Sequence, residues 1–149
     1  MTGIFLILIF SLLAGFVLWL AIMNLAFKRV RAVAKKFQGQ AILERDPKAN
    51  FFGLQSGAIF QFKGKGLLLL TKTELYFESW FPRKVVQIPV SAIVMVEISN
   101  LEKTKSQPGL KVVFFNKNGK IDSALWQVTN LSNWEKNLEN LIILISDQT

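Results

Sequence analysis

Residues 66–80 read GLLLLTKTELYFESW, which is two short apolar runs on either side of a polar stretch. Short runs rich in Leu and aromatic residues and bounded by turn residues are typical of β-strands. We therefore expect strands at 66–71 and 74–80. A succession of such strands favours an antiparallel sandwich or a small barrel.

The same alternation of apolar runs and turn signals extends from Ser56 to Val128. Pro108 and Gly109 mark one break. Asn118 and Gly119 predict a type I′ hairpin turn, because these residue types tolerate positive φ. The pattern predicts a mainly β fold with seven strands, at 58–62, 66–71, 74–80, 85–89, 93–99, 111–116 and 120–128.

The last segment of the chain has a different period. Apolar residues recur there at spacings of three and four, as on one face of an amphipathic helix. Ser132 and Glu135 have the spacing of a capping box, which predicts the start of this helix. Its apolar face consists of Trp134, Leu138, Leu141, Ile142 and Ile145.

The N-terminal stretch 3–27 contains no charged residue, and only Ser11 and Asn24 are clearly polar. As a helix it is roughly 37 Å long, enough to cross a hydrocarbon core of about 30 Å. A cleaved signal peptide and a buried core helix are the alternatives. A signal peptide normally has a basic start and a shorter apolar stretch, which this N-terminus lacks. We therefore predict a retained transmembrane helix at 3–27.

Basic residues follow this stretch directly, whereas its N-terminal side has no Lys or Arg. The positive-inside rule then predicts a single-pass protein with its N-terminus outside and its C-terminal domain in the cytoplasm. The absence of cysteine is compatible with a reducing compartment. The juxtamembrane cations are Lys28, Arg29, Arg31, Lys35 and Lys36.

Residues 28–55 are expected to form a basic juxtamembrane segment and a linker, ahead of a domain at 56–146. The helix is expected to continue to about Phe37 and to stop near Gly39. The linker contains one short predicted strand at 41–43. Its aromatic pair, Phe51 and Phe52, either packs on the domain or dips into the bilayer.

Several local sequences resemble the pleckstrin-homology (PH) superfold, and within it the GRAM-like and bacterial PH-like families. The similar segments are 66–77, the Ile-Pro-x-Ser-x-Ile rhythm at 88–93, the last strand at 122–126 and the helix at 131–138. The resemblance covers about residues 56–145. It implies a seven-stranded, partly open barrel capped by the C-terminal helix, in which Trp134 and Leu138 belong to the core. It also implies binding of lipid headgroups, peptides or proteins.

Composition argues against catalysis and against nucleic-acid binding. The chain has neither His nor Cys, so Ser-His and Cys-His nucleophiles and the commonest metal ligands are absent. The net charge is +8, but five of the 18 basic side chains belong to the juxtamembrane cluster, and a basic cluster beside a membrane helix is explained by topology. We expect no enzyme activity, no cofactor and no nucleic-acid partner.

Three predicted loops share one end of such a barrel, and each carries two cations and no acid. Converging ammonium and guanidinium groups suit an anionic ligand. The aromatic residues Trp80 and Phe81 beside them are typical of a membrane interface, although either residue is equally suited to covering the barrel mouth. The candidate cations are Lys63, Lys65, Arg83, Lys84, Lys117 and Lys120.

Two functions follow from this pattern. One is a protein-interaction or scaffold role at the cytoplasmic membrane face, and the other is binding of anionic lipid headgroups. The lipid-binding PH pattern normally has a further Arg on the second strand, where this sequence has only leucines. Ser11 and Gly15 have a small-xxx-small spacing, which would let two anchor helices pair as a homo-oligomer.

Overall fold

The computed structural model describes residues 2–57, 62–100 and 107–147; for residues 2–6, 8 and 25–27 it describes the backbone alone. The chain forms two compact units, Met1–Gln38 and Gly39–Thr149. The first unit is one helix and the second is a β-domain.

The first unit is helix α1, Thr2–Lys36. Its segment Ile9–Lys36 has a mean hydropathy of 2.2 and is long and apolar enough to cross a bilayer. Lys35 and Lys36 lie in the last turn, where cations interact favourably with the helix dipole. Gly39 follows with a φ of 90°, a conformation that favours glycine and ends helices. The helical conformation predicted here and its end near Gly39 agree with the structure.

The second unit contains one antiparallel sheet of seven strands in the order β4-β3-β2-β1-β7-β6-β5. A 3-10 turn at Val90–Ala92 joins β4 to β5, and helix α2, Leu131–Ser146, follows the sheet. The mainly β architecture with seven strands and a C-terminal helix agrees with the sequence prediction. The strands are β1 (Ile42–Leu54), β2 (Gly64–Thr71), β3 (Glu74–Ser79), β4 (Val85–Pro89), β5 (Ile93–Asn100), β6 (Pro108–Phe115) and β7 (Ile121–Gln127).

The first strand differs from the prediction. Strand β1 occupies 42–54, most of which we expected to be a linker, and it pairs with both β2 and β7. Pro47 interrupts the pattern of this segment, but it lies where the pairing with β2 shifts between Asp46 and Ala49, and proline is tolerated at such a bulge. Of the strand predicted at 58–62, residues 58–61 lie outside the described residues, and Phe62 is not in a strand.

One hydrophobic core lies inside the curved sheet and includes residues from every strand and from α2. Its aromatic centre is formed by Phe51, Phe77 and Trp126, whose ring centroids are 5.2 to 6.3 Å apart. Trp134 and Leu138 are fully buried in the same core, as predicted. Phe51 packs on the domain, and Phe52 beside it is half-buried.

Helix α2 starts earlier than the sequence suggested. Asn130 is its N-cap residue and makes no side-chain capping bond, and the first helical bond joins Trp134 N to Asn130 O at 3.2 Å. The predicted capping box at Ser132 is therefore wrong. A buried carboxylate fixes the start instead, because Asp46 accepts a hydrogen bond of 2.6 Å from Thr129 N.

The hairpin between β6 and β7 also has a different turn. Gly119 has a φ of 70°, whereas Asn118 keeps a negative φ, so the type I′ prediction is wrong. Gly119 N bonds to Asn116 O at 2.9 Å, and the Asn116 side chain accepts bonds from two further backbone amides in the loop. This side-chain cap stabilises a longer loop with only one residue at positive φ.

Candidate functional site

The strand register brings three loops to one end of the sheet. Gly64 at the start of β2 pairs with Phe51, near the end of β1. Gly66 pairs with Ser79 at the end of β3, so the loop 80–84 lies beside the start of β2. Leu54 pairs with Ala124, which brings the β6–β7 hairpin to the same end. We call this end, with Lys63, Lys65, Arg83, Lys84, Lys117 and Lys120, the cationic end.

Hydrogen bonds fix the loop 80–84 against the start of β2. Trp80 N donates to Lys65 O at 2.9 Å, which joins the loop 80–84 to the start of β2. The buried Ser79 closes the loop 80–84. Its N–H donates to Lys84 O at 2.9 Å, and its hydroxyl accepts from Lys84 N at 3.0 Å and donates to Pro82 O. The backbone that carries these cations is therefore ordered by the sheet.

A second buried carboxylate joins the β1–β2 loop to the last strand. Asp122 accepts a 2.9 Å hydrogen bond from Ser56 N and a further bond from the Ser56 hydroxyl. It also accepts one from Ser123 N at 2.8 Å. Asp122 lies just after the β6–β7 hairpin, so this cluster ties that hairpin to the start of the β1–β2 loop.

Arg83 differs from the other candidate cations because it has an acidic partner. Its Nε donates to Glu78 Oε1 at 2.8 Å, and the Glu78 side chain is only 3% exposed. Tyr76 donates to the other oxygen of Glu78 at 2.6 Å. Burial, together with this hydrogen bond, raises the pKa of Tyr76, and the hydrogen bond that Arg83 donates to Glu78 raises the pKa of Arg83. The charge of Arg83 is thus largely offset by Glu78.

The five lysines of the cationic end are exposed, and within the described parts of the chain none of them has an ion pair. Phe81 projects beside them and is 86% exposed, whereas Trp80 is half-buried. Two further apolar residues that were not predicted lie at this end: Phe115 and Ile121 pair across the β6–β7 hairpin and are 49% and 66% exposed. Their positions in strand patterns gave no signal that they would face solvent.

The other basic group predicted from sequence lies in the first unit. Lys28, Arg29, Arg31, Lys35 and Lys36 belong to the last part of α1. They form a separate group in the chain, and no residue of the cationic end belongs to that unit.

A groove of about 920 Å³ runs along β4, which is an edge strand of the sheet. Its lining is mostly apolar. Lys117 at the cationic end also contributes to it. The lining residues include Leu54, Val85, Val86, Ile88, Phe114 and Phe115.

No protein-family model matches the chain, and a search of curated proteins found no match. Solved structures do match. A C-terminal domain of an unknown protein from Leishmania infantum is 15% identical, with a TM-score of 0.56, and the match covers 78% of this chain and 96% of that one. The Vps36 N-terminal PH domain is 13% identical, with a TM-score of 0.55, over 74% of this chain and 84% of that one.

A chain of the 8S snRNP assembly intermediate is also similar, at 10% identity and a TM-score of 0.54, over 69% of this chain and 83% of that one. Identities this low establish the fold alone. The chain has a PH-like fold, as its sequence predicted: a seven-stranded antiparallel open sheet with a C-terminal helix, preceded by one apolar helix.

Proposed function

We propose that this chain is a non-enzymatic binding module held on a membrane by α1, and that its cationic end binds the headgroups of anionic lipids. The observation that carries the proposal is the convergence of three hydrogen-bonded loops with five exposed lysines that lack an ion pair among the described residues. An anionic surface attracts such a group, with a contribution of about 1 kcal/mol for each Lys close to it.

The exposed apolar residues fit the same ligand. Phe81 and Ile121 lie among the lysines, and a hydrophobic side chain surrounded by cations suits the boundary between headgroups and acyl chains. Strand β2 carries leucines at 67–70, so no arginine on that strand selects a particular headgroup. The proposal is therefore attraction to negative lipid surfaces in general.

An environment-sensitive fluorophore near the lysines tests this function. The chain has no cysteine, so Asn118→Cys in the full-length protein allows labelling at one exposed site. The labelled protein is placed in phosphatidylcholine nanodiscs, and phosphatidylserine is supplied either in the same disc or in added vesicles. A blue shift in at least one arrangement is expected. No response in either arrangement contradicts the proposal.

Two triple variants with the same change in charge provide the control. Lys63, Lys65 and Lys84 to Ala removes three lysines of the cationic end, and this change is expected to weaken binding roughly 100-fold. The matched variant removes three exposed lysines elsewhere in the domain and is expected to bind like the unmodified protein. Its positions are Lys48, Lys72 and Lys136. Equal effects of the two variants would mean that net charge alone matters.

A protein-interaction role at the membrane is the second candidate, and the groove along β4 favours it. An edge strand has unpaired backbone groups that an extended peptide can join, and the apolar lining offers contacts for its side chains. A photo-crosslinking residue at the exposed Gln87 of β4 is expected to capture such a partner in native membranes. The same group at Lys136 on α2 serves as the control, and equal capture at both positions counts against the groove.

A further inference from the structure

A buried acid holds Arg83 in place at the cationic end. Glu78 lies on β3, which has β2 on one side and β4 on the other, and the Glu78 side chain is only 3% exposed. Arg83 Nε donates to Glu78 Oε1 at 2.8 Å, and the Tyr76 hydroxyl donates to Oε2 at 2.6 Å. Both oxygens of the carboxylate are engaged, so the acceptor that holds the guanidinium is itself fixed by the sheet.

The outer part of the Arg83 guanidinium is open to a ligand. The side chain is 66% exposed, and Nη1 and Nη2 make no hydrogen bond within residues 2–57, 62–100 and 107–147. These two nitrogens have the fork geometry that binds two oxygens of a phosphate or a carboxylate at once. Because Glu78 already restricts the side chain, a ligand loses less conformational entropy in binding it than in binding an unrestrained arginine.

Lysines lie near this fork. Lys84 follows Arg83 in sequence, and the bond from Trp80 N to Lys65 O brings the backbone of Lys65 to the same loop. A lysine is a point charge, whereas the arginine fork also fixes the orientation of its ligand. A phosphate monoester has three terminal oxygens and a charge of about −1.5 to −2 at pH 7, so it can contact the fork and a lysine together. A carboxylate offers only two oxygens and one charge.

We propose that Arg83, positioned by the buried Glu78, makes the cationic end select lipids whose headgroup ends in a phosphate monoester over lipids such as phosphatidylserine. This selectivity rests on the proposed function, since it assumes that the lysines bind lipid headgroups. The lysines supply attraction to any anionic surface, and the outer nitrogens of Arg83 bind two oxygens of the phosphate. Glu78 is a positioning residue, because it acts on the lipid only through Arg83.

The test uses the full-length protein labelled at Asn118→Cys in phosphatidylcholine nanodiscs. Phosphatidic acid or phosphatidylserine is supplied in rising amounts in the same disc and, separately, in added vesicles. The half-maximal fluorescence shift is expected at a roughly fivefold to tenfold lower surface charge density with phosphatidic acid, where electrophoretic mobility measures the charge density. Glycerol 3-phosphate carries the same group in solution and is expected to leave the shift intact at a concentration equal to that of the lipid.

Conservative variants separate orientation from charge. Arg83→Lys keeps the charge but removes the fork, and it is expected to bring the two lipids within about twofold of each other. Arg45→Lys is the matched control, because it makes the same change at an exposed arginine of β1 outside the cationic end and is expected to retain the preference. Glu78→Gln leaves the cationic end more positive, so phosphatidylserine is expected to bind more tightly while the preference for phosphatidic acid falls.

The outcomes separate the selectivity from the proposed function. Equal half-maximal points for the two lipids overturn the selectivity and leave the proposed function standing, whereas no shift with either lipid overturns both. Loss of the shift with glycerol 3-phosphate overturns the choice of a lipid, because the ligand would then be a soluble phosphate.

The role of Glu78 has its own refutation. A preference that survives in Glu78→Gln, with tighter binding of both lipids, means that Glu78 only offsets charge, and this overturns its positioning role. Should Glu78→Gln fail to fold, Tyr76→Phe takes its place, since it removes one hydrogen bond to Glu78 without a change in charge. The preference is expected to fall in part in Tyr76→Phe, and an unchanged preference overturns the positioning role as well.

Discussion

Replacing Gly66 by alanine is expected to destabilise the β-domain strongly, because β2 and β3 approach each other too closely there for a side chain. A Cβ atom on Gly66 would lie 2.2 Å from the backbone oxygen of Glu78 and 2.8 Å from Phe77 Cε2. Non-bonded heavy atoms normally stay about 3.5 Å apart, so the strands would have to separate by roughly 1 Å. The obstacle is backbone, which cannot rotate away as a side chain can.

The size of the effect follows from two opposing terms. Overpacking a well-packed site costs about 1–3 kcal/mol, and a weakened bond in the β2–β3 ladder costs about 1 kcal/mol more. Alanine also reduces the conformational entropy of the unfolded chain, which stabilises the folded domain by about 0.4–1 kcal/mol. A net loss of about 2 kcal/mol lowers the Tm of a domain of this size by roughly 10 °C.

Thermal unfolding of the full-length protein in detergent, followed by near-ultraviolet circular dichroism of the buried tryptophans, measures this change. Gly64→Ala is the matched control in the same strand, since its Cβ would have only Phe81 O within contact range, at 3.9 Å. The control is expected to unfold within about 2 °C of the unmodified protein. Equal Tm values for the two variants would refute the close approach of β2 and β3 at Gly66.

Three further predictions concern the core, the buried carboxylate and the buried hydroxyl. Trp134→Ala is expected to lower the free energy of unfolding, measured by chemical denaturation, by about 3–5 kcal/mol, because this side chain is fully buried. A loss below about 1 kcal/mol would mean that α2 does not close the core. Asp46→Ala removes the acceptor for Thr129 N and is expected to lower the free energy of unfolding by about 1–3 kcal/mol, with faster amide hydrogen exchange at the start of α2. Unchanged exchange there would count against the contact. Tyr76 is the single tyrosine, so tyrosinate absorbance reports it alone. Burial and Glu78 raise the pKa of Tyr76 above about 10, so its stabilising effect is complete below that pH and is lost as the pH rises further, and a midpoint at or below 10 would contradict the burial.

Arg83 illustrates why the candidate site could be predicted only in part. Its residue type and its neighbours in sequence place it among the cations of one loop, and the register puts that loop beside the start of β2. Its pairing with Glu78 depends on how the loop folds back on β3, because five residues of chain separate the two. The sequence therefore gives the location of the charge but not whether a partner already offsets it.

Local pattern alone determines the elements whose side chains repeat with a clear period. Residues 3–27 have no charge, the runs 66–71 and 74–80 are bounded by turn residues, and the C-terminal segment carries apolar residues at helical spacing. Each of these patterns is visible within one short segment of the chain. Long-range pairing decides the rest. Strand β1 contains Pro47 and an irregular pattern, and it is extended because β2 and β7 supply its hydrogen bonds. The closeness of β3 at Gly66 and the gathering of the lysines at one end of the sheet are likewise properties of the assembled sheet, since they depend on which strands are neighbours and in which direction they run.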